Sequence, residues 1–127
     1  MNNTTITFHD FMLQLLSIVD YQDNKDTFIG EFVELIYKQA LVDLLGSLTA
    51  NEQETVRKLV NEQKELDKAV TALLAGEWAQ KYTLALALAS KKMLEDYVIE
   101  INDTLTDSQK EMIELLFQTG REYLVMQ

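Results

Sequence analysis

The chain contains no proline, and its four glycines stand far apart at positions 30, 46, 76 and 120. The tight turns of a many-stranded fold draw on Gly and Pro for backbone angles that other residues resist. With those residues so scarce, helices are the economical way to use 127 residues. The apolar spacing agrees. Phe8, Phe11, Met12, Leu15, Leu16 and Val19 follow i, i+3, i+4, i+7, i+8 and i+11, one helix face over about Thr7–Val19. A turn-rich stretch, Asp20–Asp26, interrupts the pattern. A second helix is expected over about Asp26–Leu45, with Ile29, Phe32, Val33, Ile36, Ala40 and Leu44 on its apolar face. Phe28, Leu35, Leu41 and Leu45 widen that face and predict a central helix, closed by Gly46-Ser47.

Thr49-Ala-Asn-Glu52 fits a capping box, in which the Thr hydroxyl and the Glu carboxylate each take up a free N–H at the helix start. The helix it opens is expected to run over about Ala50–Ala75. Its apolar stripe is thin: Val56, Leu59, Leu66, Val70 and Leu73 stand at heptad-like positions, and Val56, Gln63 and Val70 repeat every seven residues. This seam, with Gln63 as a polar position fixing register, is the candidate interaction surface. Glu77–Ile101 is the most apolar segment. Within it Tyr82–Ala89 alternates large and small residues, a pattern open to a strand reading. The small partner is mostly alanine, the best helix former, which favours helix. Thr106-Asp-Ser-Gln109 repeats the capping-box pattern before a last helix carrying Met112, Ile113, Leu115, Leu116, Phe117, Tyr123 and Leu124.

These features predict an all-α fold, a four- or five-helix bundle of capped amphipathic helices, as a single domain over 1–127 with 1–5 a frayed N-terminus. Leu48-Thr49, Glu54, Val56, Leu59 and Val60 match Leu105-Thr106, Glu111, Ile113, Leu116 and Phe117 at a constant offset of 57. A duplicated helical hairpin, with half-repeats 26–75 and 77–127, accounts for that match; so does the general similarity of any two capped helices.

The run Glu34–Glu52, ELIYKQALVDLLGSLTANE, resembles a small acidic helical domain of unknown function found in bacteria of the candidate phyla radiation. Members pair an amphipathic helix with a Leu-(Ser/Thr/Pro)-x-(Glu/Asp)-(Glu/Lys/Gln) turn and a short acidic helix. Tyr97–Leu116 is similar to the same pattern. Asn51 and Ser108 depart from the acidic turn. The resemblance covers about half the chain and implies no activity, cofactor or catalytic residue.

Twenty-one acids face eleven bases, a formal net charge of −10. That argues against a nucleic-acid clamp, which displaces phosphate counterions with Lys and Arg, and against an anionic membrane surface. The longest apolar stretches fall short of a bilayer span, and the start MNNTTITFHD lacks the basic residues of a signal peptide. A cytoplasmic address is the expectation. The absence of cysteine excludes thiol chemistry and disulfides.

Groups for catalysis are few. His9 is the single histidine and has only Asp10 beside it. Asp20-x-x-Asp23-x-x-Asp26 offers oxygens but lacks the ligand spacing and central glycine of an EF-hand loop, so it reads as a solvated turn with one Asp capping the next helix. Glu95, Asp96, Glu100 and Asp103 gather near a helix C-terminus, where they oppose the helix dipole and would suit a basic partner or a cation. No cofactor, metal or catalytic residue is expected, and the protein reads as a non-enzyme.

Two functional readings remain. The first is a helical protein–protein interaction module, self-associating along Val56, Leu59, Gln63, Leu66, Val70 and Leu73. It is motivated by that seam and by more aromatic rings than a bundle of this size is expected to hide. The second is an acidic decoy or inhibitor, of phage or plasmid type, that blocks the basic groove of a nucleic-acid-binding protein. Residues 1–50 carry −5, 51–76 carry −1 and 77–127 carry −4. That spread counts against a decoy, which needs its charge on one face. A protein partner or a second copy is expected, with no direct nucleic-acid or membrane contact.

Overall fold

A computed structural model describes the backbone of residues 7–120 and the side chains of 7–118. The described residues form six α-helices: α1 (Phe8–Ile18), α2 (Lys25–Gly46), α3 (Ala50–Gln63), α4 (Leu66–Ala75), α5 (Ala79–Ile101) and α6 (Asp107–Gly120). A single 3-10 turn, Asn102–Thr104, links α5 to α6. No strand occurs among the described residues, and Tyr82–Ala89 is helical throughout. None of these helices is long and apolar enough to cross a membrane. The expected fraying of 1–5, and the placement of Tyr123 and Leu124 on the last helix, lie outside the described residues.

Local chemistry explains where the helices start. The Thr7 hydroxyl accepts from the Asp10 N–H at 3.1 Å and opens α1. Asn24, not an aspartate of the acidic turn, caps α2: its side-chain oxygen accepts from the Thr27 N–H at 2.9 Å. At α3 the Thr49 hydroxyl accepts from Glu52 N–H, and a Glu52 carboxylate oxygen accepts from Thr49 N–H at 3.0 Å. That backbone hydrogen bond holds the Glu52 carboxyl below its ordinary pKa. At α6 the same box forms with an uncharged partner, Gln109, whose side-chain oxygen accepts from the Thr106 N–H at 2.8 Å. The Gln53 amide donates to the carbonyls of Leu45, in the last turn of α2, and Leu48, in the turn that follows, tying α3 to the end of α2.

The expected single helix over 50–75 is two helices. Lys64 ends α3 in the left-handed region, with φ 64°, and Glu65 is extended before α4 begins. The cause is energetic poverty at the join. From Asn61 to Lys68 only Leu66 is apolar, so little burial would be gained by keeping this stretch helical, and α4 can turn to pack on α3. This break raises the helix number to six. Gly46 ends α2 without a left-handed angle; Asp20 and Lys64 are the described non-glycine residues with positive φ.

The chain divides into two compact units. The terminal unit joins Met1–Phe32 to Met93–Gln127, and the central unit is Val33–Lys92. These units cut across the halves 26–75 and 77–127. In the terminal unit α1 packs on α6. Phe8, Phe11, Met12, Leu15, Leu16, Ile113 and Leu116 are buried there, and Phe11 meets Phe117 at 5.4 Å between ring centroids. Phe28, Phe32 and Tyr97 form a cluster with centroids 5.4–6.3 Å apart. Among the described residues most of these aromatic rings therefore do find cover, despite the trouble expected for a bundle of this size in hiding them all at once. In the central unit α3 packs on α4, and Ile36, Leu44, Val56, Leu73, Tyr82 and Leu86 are buried. The Tyr82 hydroxyl donates to the Tyr37 carbonyl at 3.1 Å, tying α5 to α2 within this unit. Among the described residues no buried side-chain nitrogen or oxygen lacks a hydrogen-bond partner.

Candidate protein-docking groove

The six seam residues fall on two helices. Val56, Leu59 and Gln63 belong to α3, and Leu66, Val70 and Leu73 to α4. The break at Lys64 interrupts the heptad register, so no continuous a/d stripe runs from Val56 to Leu73. Val56 is 0% exposed, Leu73 1% and Val70 5%, which leaves these three almost no surface for a second chain. Leu59, Gln63 and Leu66 are half-buried. The seam is where α3 and α4 belong to one packed unit.

A different surface has the geometry of a docking site. Near the C-terminus of α5, Glu95, Val98 and Ile99 stand at i, i+3 and i+4 on one helix face, and Asn102 follows in the 3-10 turn. On α6, Lys110, Ile113, Glu114, Phe117 and Gln118 form another such face. Between the two faces lies a groove of about 580 Å³, with Leu105 from the connecting segment also in its wall. Its floor is apolar: Val98, Leu105 and Phe117 are half-buried, and Ile113 is buried. Ile99 is 72% exposed, the most exposed of the large apolar side chains among the described residues. Glu95, Glu114 and Lys110 are its charged members. A shallower depression at Ala79, Gln80, Thr83, Leu84 and Ala87 is formed by α5 alone and has no second wall.

The groove lies in the terminal unit, and so does the net charge. The described part of that unit holds twelve acids and two bases, Lys25 and Lys110, for a net −10. The central unit holds eight acids and eight bases and is neutral. A linear tally hides this, because the acids lie near both ends of the chain and the fold gathers those ends into one unit. From residue 95 to 118 seven acids, all exposed, face the single base Lys110. Two ion pairs occur among the described residues, Glu34–Lys38 and Glu65–Lys68, both exposed. The acidic field of the terminal unit is therefore largely uncompensated.

The groove was not singled out from the sequence. Its signal was the helical spacing 95/98/99 on α5, continued at 102, and the face 110/113/114/117 on α6, which shares Ile113 and Phe117 with the core. His9 lies 3.4 Å from Asp26 on the surface. Asp20, Asp23 and Asp26 are exposed, and no group of three or more His, Asp or Glu able to hold a metal ion occurs among the described residues. Burial pushes up the pKa values of Tyr37, Tyr82 and Tyr97. For Tyr82 the next cause is the neighbouring Tyr37, and for Tyr37 it is Asp67. These phenols stay neutral at neutral pH, and that of Tyr82 serves as a packed hydrogen-bond donor. No protein-family model, curated protein or solved structure matches the chain.

Proposed function

We propose that the protein is a non-catalytic helical interaction module that binds a protein partner through its acidic terminal unit. The observation that carries this reading is the two-helix groove with an apolar floor and a solvent-exposed Ile99. Apolar surface left in water is unfavourable, and a contiguous stretch of it in a concave setting suits a protein contact. A photo-crosslinking amino acid placed at position 99 tests the reading in the source cells. One discrete protein adduct from position 99, and none from the exposed Thr71 of the central unit, is expected. Equal labelling from both positions, or no adduct from 99, overturns it.

The acidic decoy is the second reading, and the charge distribution favours it more than the linear tally did. Ten net charges on one unit can imitate the field of a nucleic acid. Such a decoy depends on charge alone. Its affinity would fall steeply with salt and ignore the groove's apolar residues.

A further inference from the structure

We propose that the groove between α5 and α6 receives a basic amphipathic helix of a partner protein. The inference rests on the interaction-module reading and specifies the partner's chemistry. Helix-in-groove recognition lays apolar side chains spaced i, i+3/i+4 and i+7 into a furrow between helices. The α6 wall spans Lys110 to Gln118, which at 1.5 Å per residue is roughly 12 Å, or about two turns of a docked helix. Two or three apolar anchors of the partner fit that length. They would lie over Val98, Ile99, Ile113 and Phe117, with Leu105 in the same wall.

Charge selects among possible occupants. The seven exposed acids between residues 95 and 118 demand Lys and Arg on the partner's flanks. A second copy of this chain would bring another −10 unit to the same place and be repelled. Anionic lipid and nucleic acid are repelled likewise. A cationic helix with an apolar face satisfies both the floor and the rim.

Fluorescence anisotropy with the full chain tests the proposal. The probe is a labelled 18-residue peptide of leucine and lysine, with leucines at i, i+3, i+4 and i+7. Its controls are a scrambled peptide of the same composition and a peptide with glutamate in place of lysine. The amphipathic basic peptide is expected to bind at least tenfold more tightly than either control. Ile99→Asp distinguishes the groove from charge alone. It adds an acid, so binding by charge alone would strengthen slightly, whereas groove binding would weaken tenfold or more. Leu84→Asp adds the same charge on the central unit, at a leucine that is 61% exposed, and is expected to leave the affinity within twofold of wild type. Both substitutions are at exposed sites, and circular dichroism confirms that the variants stay helical. Equal binding of the scrambled peptide, no binding of any peptide, or an Ile99→Asp affinity at or above wild type overturns the proposal. A concentration-dependent doubling of mass that Ile99→Asp abolishes would do so too, since the occupant would then be a second copy. The interaction-module reading survives each of these results if position 99 still gives its discrete protein adduct.

Discussion

The terminal unit carries the whole net charge and the central unit none, yet they are built from the same materials. Each buries the inward faces of capped helices, and each has a Thr capping box at the start of a shorter helix, Thr49 in one and Thr106 in the other. Charge is thus a property laid over an architecture that does not need it. The neutral unit shows that such helices pack without an excess of acids. The excess in the other unit is costly through self-repulsion.

The largest effects test whether the division is energetic as well as geometric. Phe11→Ala removes a ring that is fully buried in the terminal unit and should cost about 3–5 kcal/mol. Leu73→Ala in the central unit should cost about 2–5 kcal/mol. Native-state amide exchange is expected to accelerate mainly over 8–32 and 93–120 in the first variant, and mainly over 33–92 in the second. Equal loss of protection along the whole chain in both variants would erase the contrast.

The caps come next. Thr49→Ala and Thr106→Ala should each cost about 1 kcal/mol in chemical denaturation. Acid then separates the two boxes. Glu52 has its pKa lowered by the hydrogen bond from the Thr49 backbone. Its contribution is therefore present above the ordinary glutamate range and is lost as pH falls through the lowered value. Gln109 does not titrate. Below about pH 4 the start of α3 should lose exchange protection before the start of α6 does.

Alkali should bear harder on the central unit. Tyr37 and Tyr82 both have raised pKa values there. A raised folded-state value means that stability is intact below the ordinary tyrosine pKa of about 10 and falls as pH rises above it. Tyr82→Phe gives up the bond to the Tyr37 carbonyl at a cost of about 1 kcal/mol near neutrality. The variant should then lose less stability than wild type between about pH 9 and 11. A loss equal to wild type would assign the alkaline transition elsewhere.

The smallest effect concerns the charge itself. Glu111→Lys in the terminal unit relieves repulsion and creates an i, i+4 attraction to Asp107, a gain of about 0.2–0.5 kcal/mol at low salt. The same reversal at Glu54 in the central unit removes an attraction to Lys58 and should not stabilise. Added NaCl should raise the melting temperature of wild type and shrink the Glu111→Lys gain, since ions screen like charges.

The helices and their caps were legible because their causes are local: a Thr with Glu or Gln three residues on, and apolar side chains at 3.6-residue spacing. The break at Lys64 was written in the polar run from Asn61 to Lys68, but a thin stripe fits one long helix or two short ones. Burial decided between them, and burial depends on what the fold brings near. Leu35 and Ile99 show the same limit, since both continue apolar patterns and both lie exposed. The α5–α6 groove and the charged unit were least legible. Each arises from residues whose neighbourhood is set by pairing distant parts of the chain.

One hydrogen bond marks how distant those parts are. The Gln109 amide, while its oxygen caps α6, donates to the Ile18 carbonyl at 2.9 Å, across 91 residues. Everything between Phe32 and Met93 must be made before that bond can close. The central unit is one unbroken stretch of sequence, so it can assemble while α6 is still being synthesised. Once folded, it takes sixty residues out of the flexible chain that separates the two parts of the terminal unit and lowers the entropy cost of closure for α1 on α6. Pulse-labelled exchange during refolding should accordingly protect 33–92 first. Until α6 is made, Phe11 of α1 waits without the Phe117 ring that covers it, so this long-range pairing leaves apolar surface open to aggregation during synthesis.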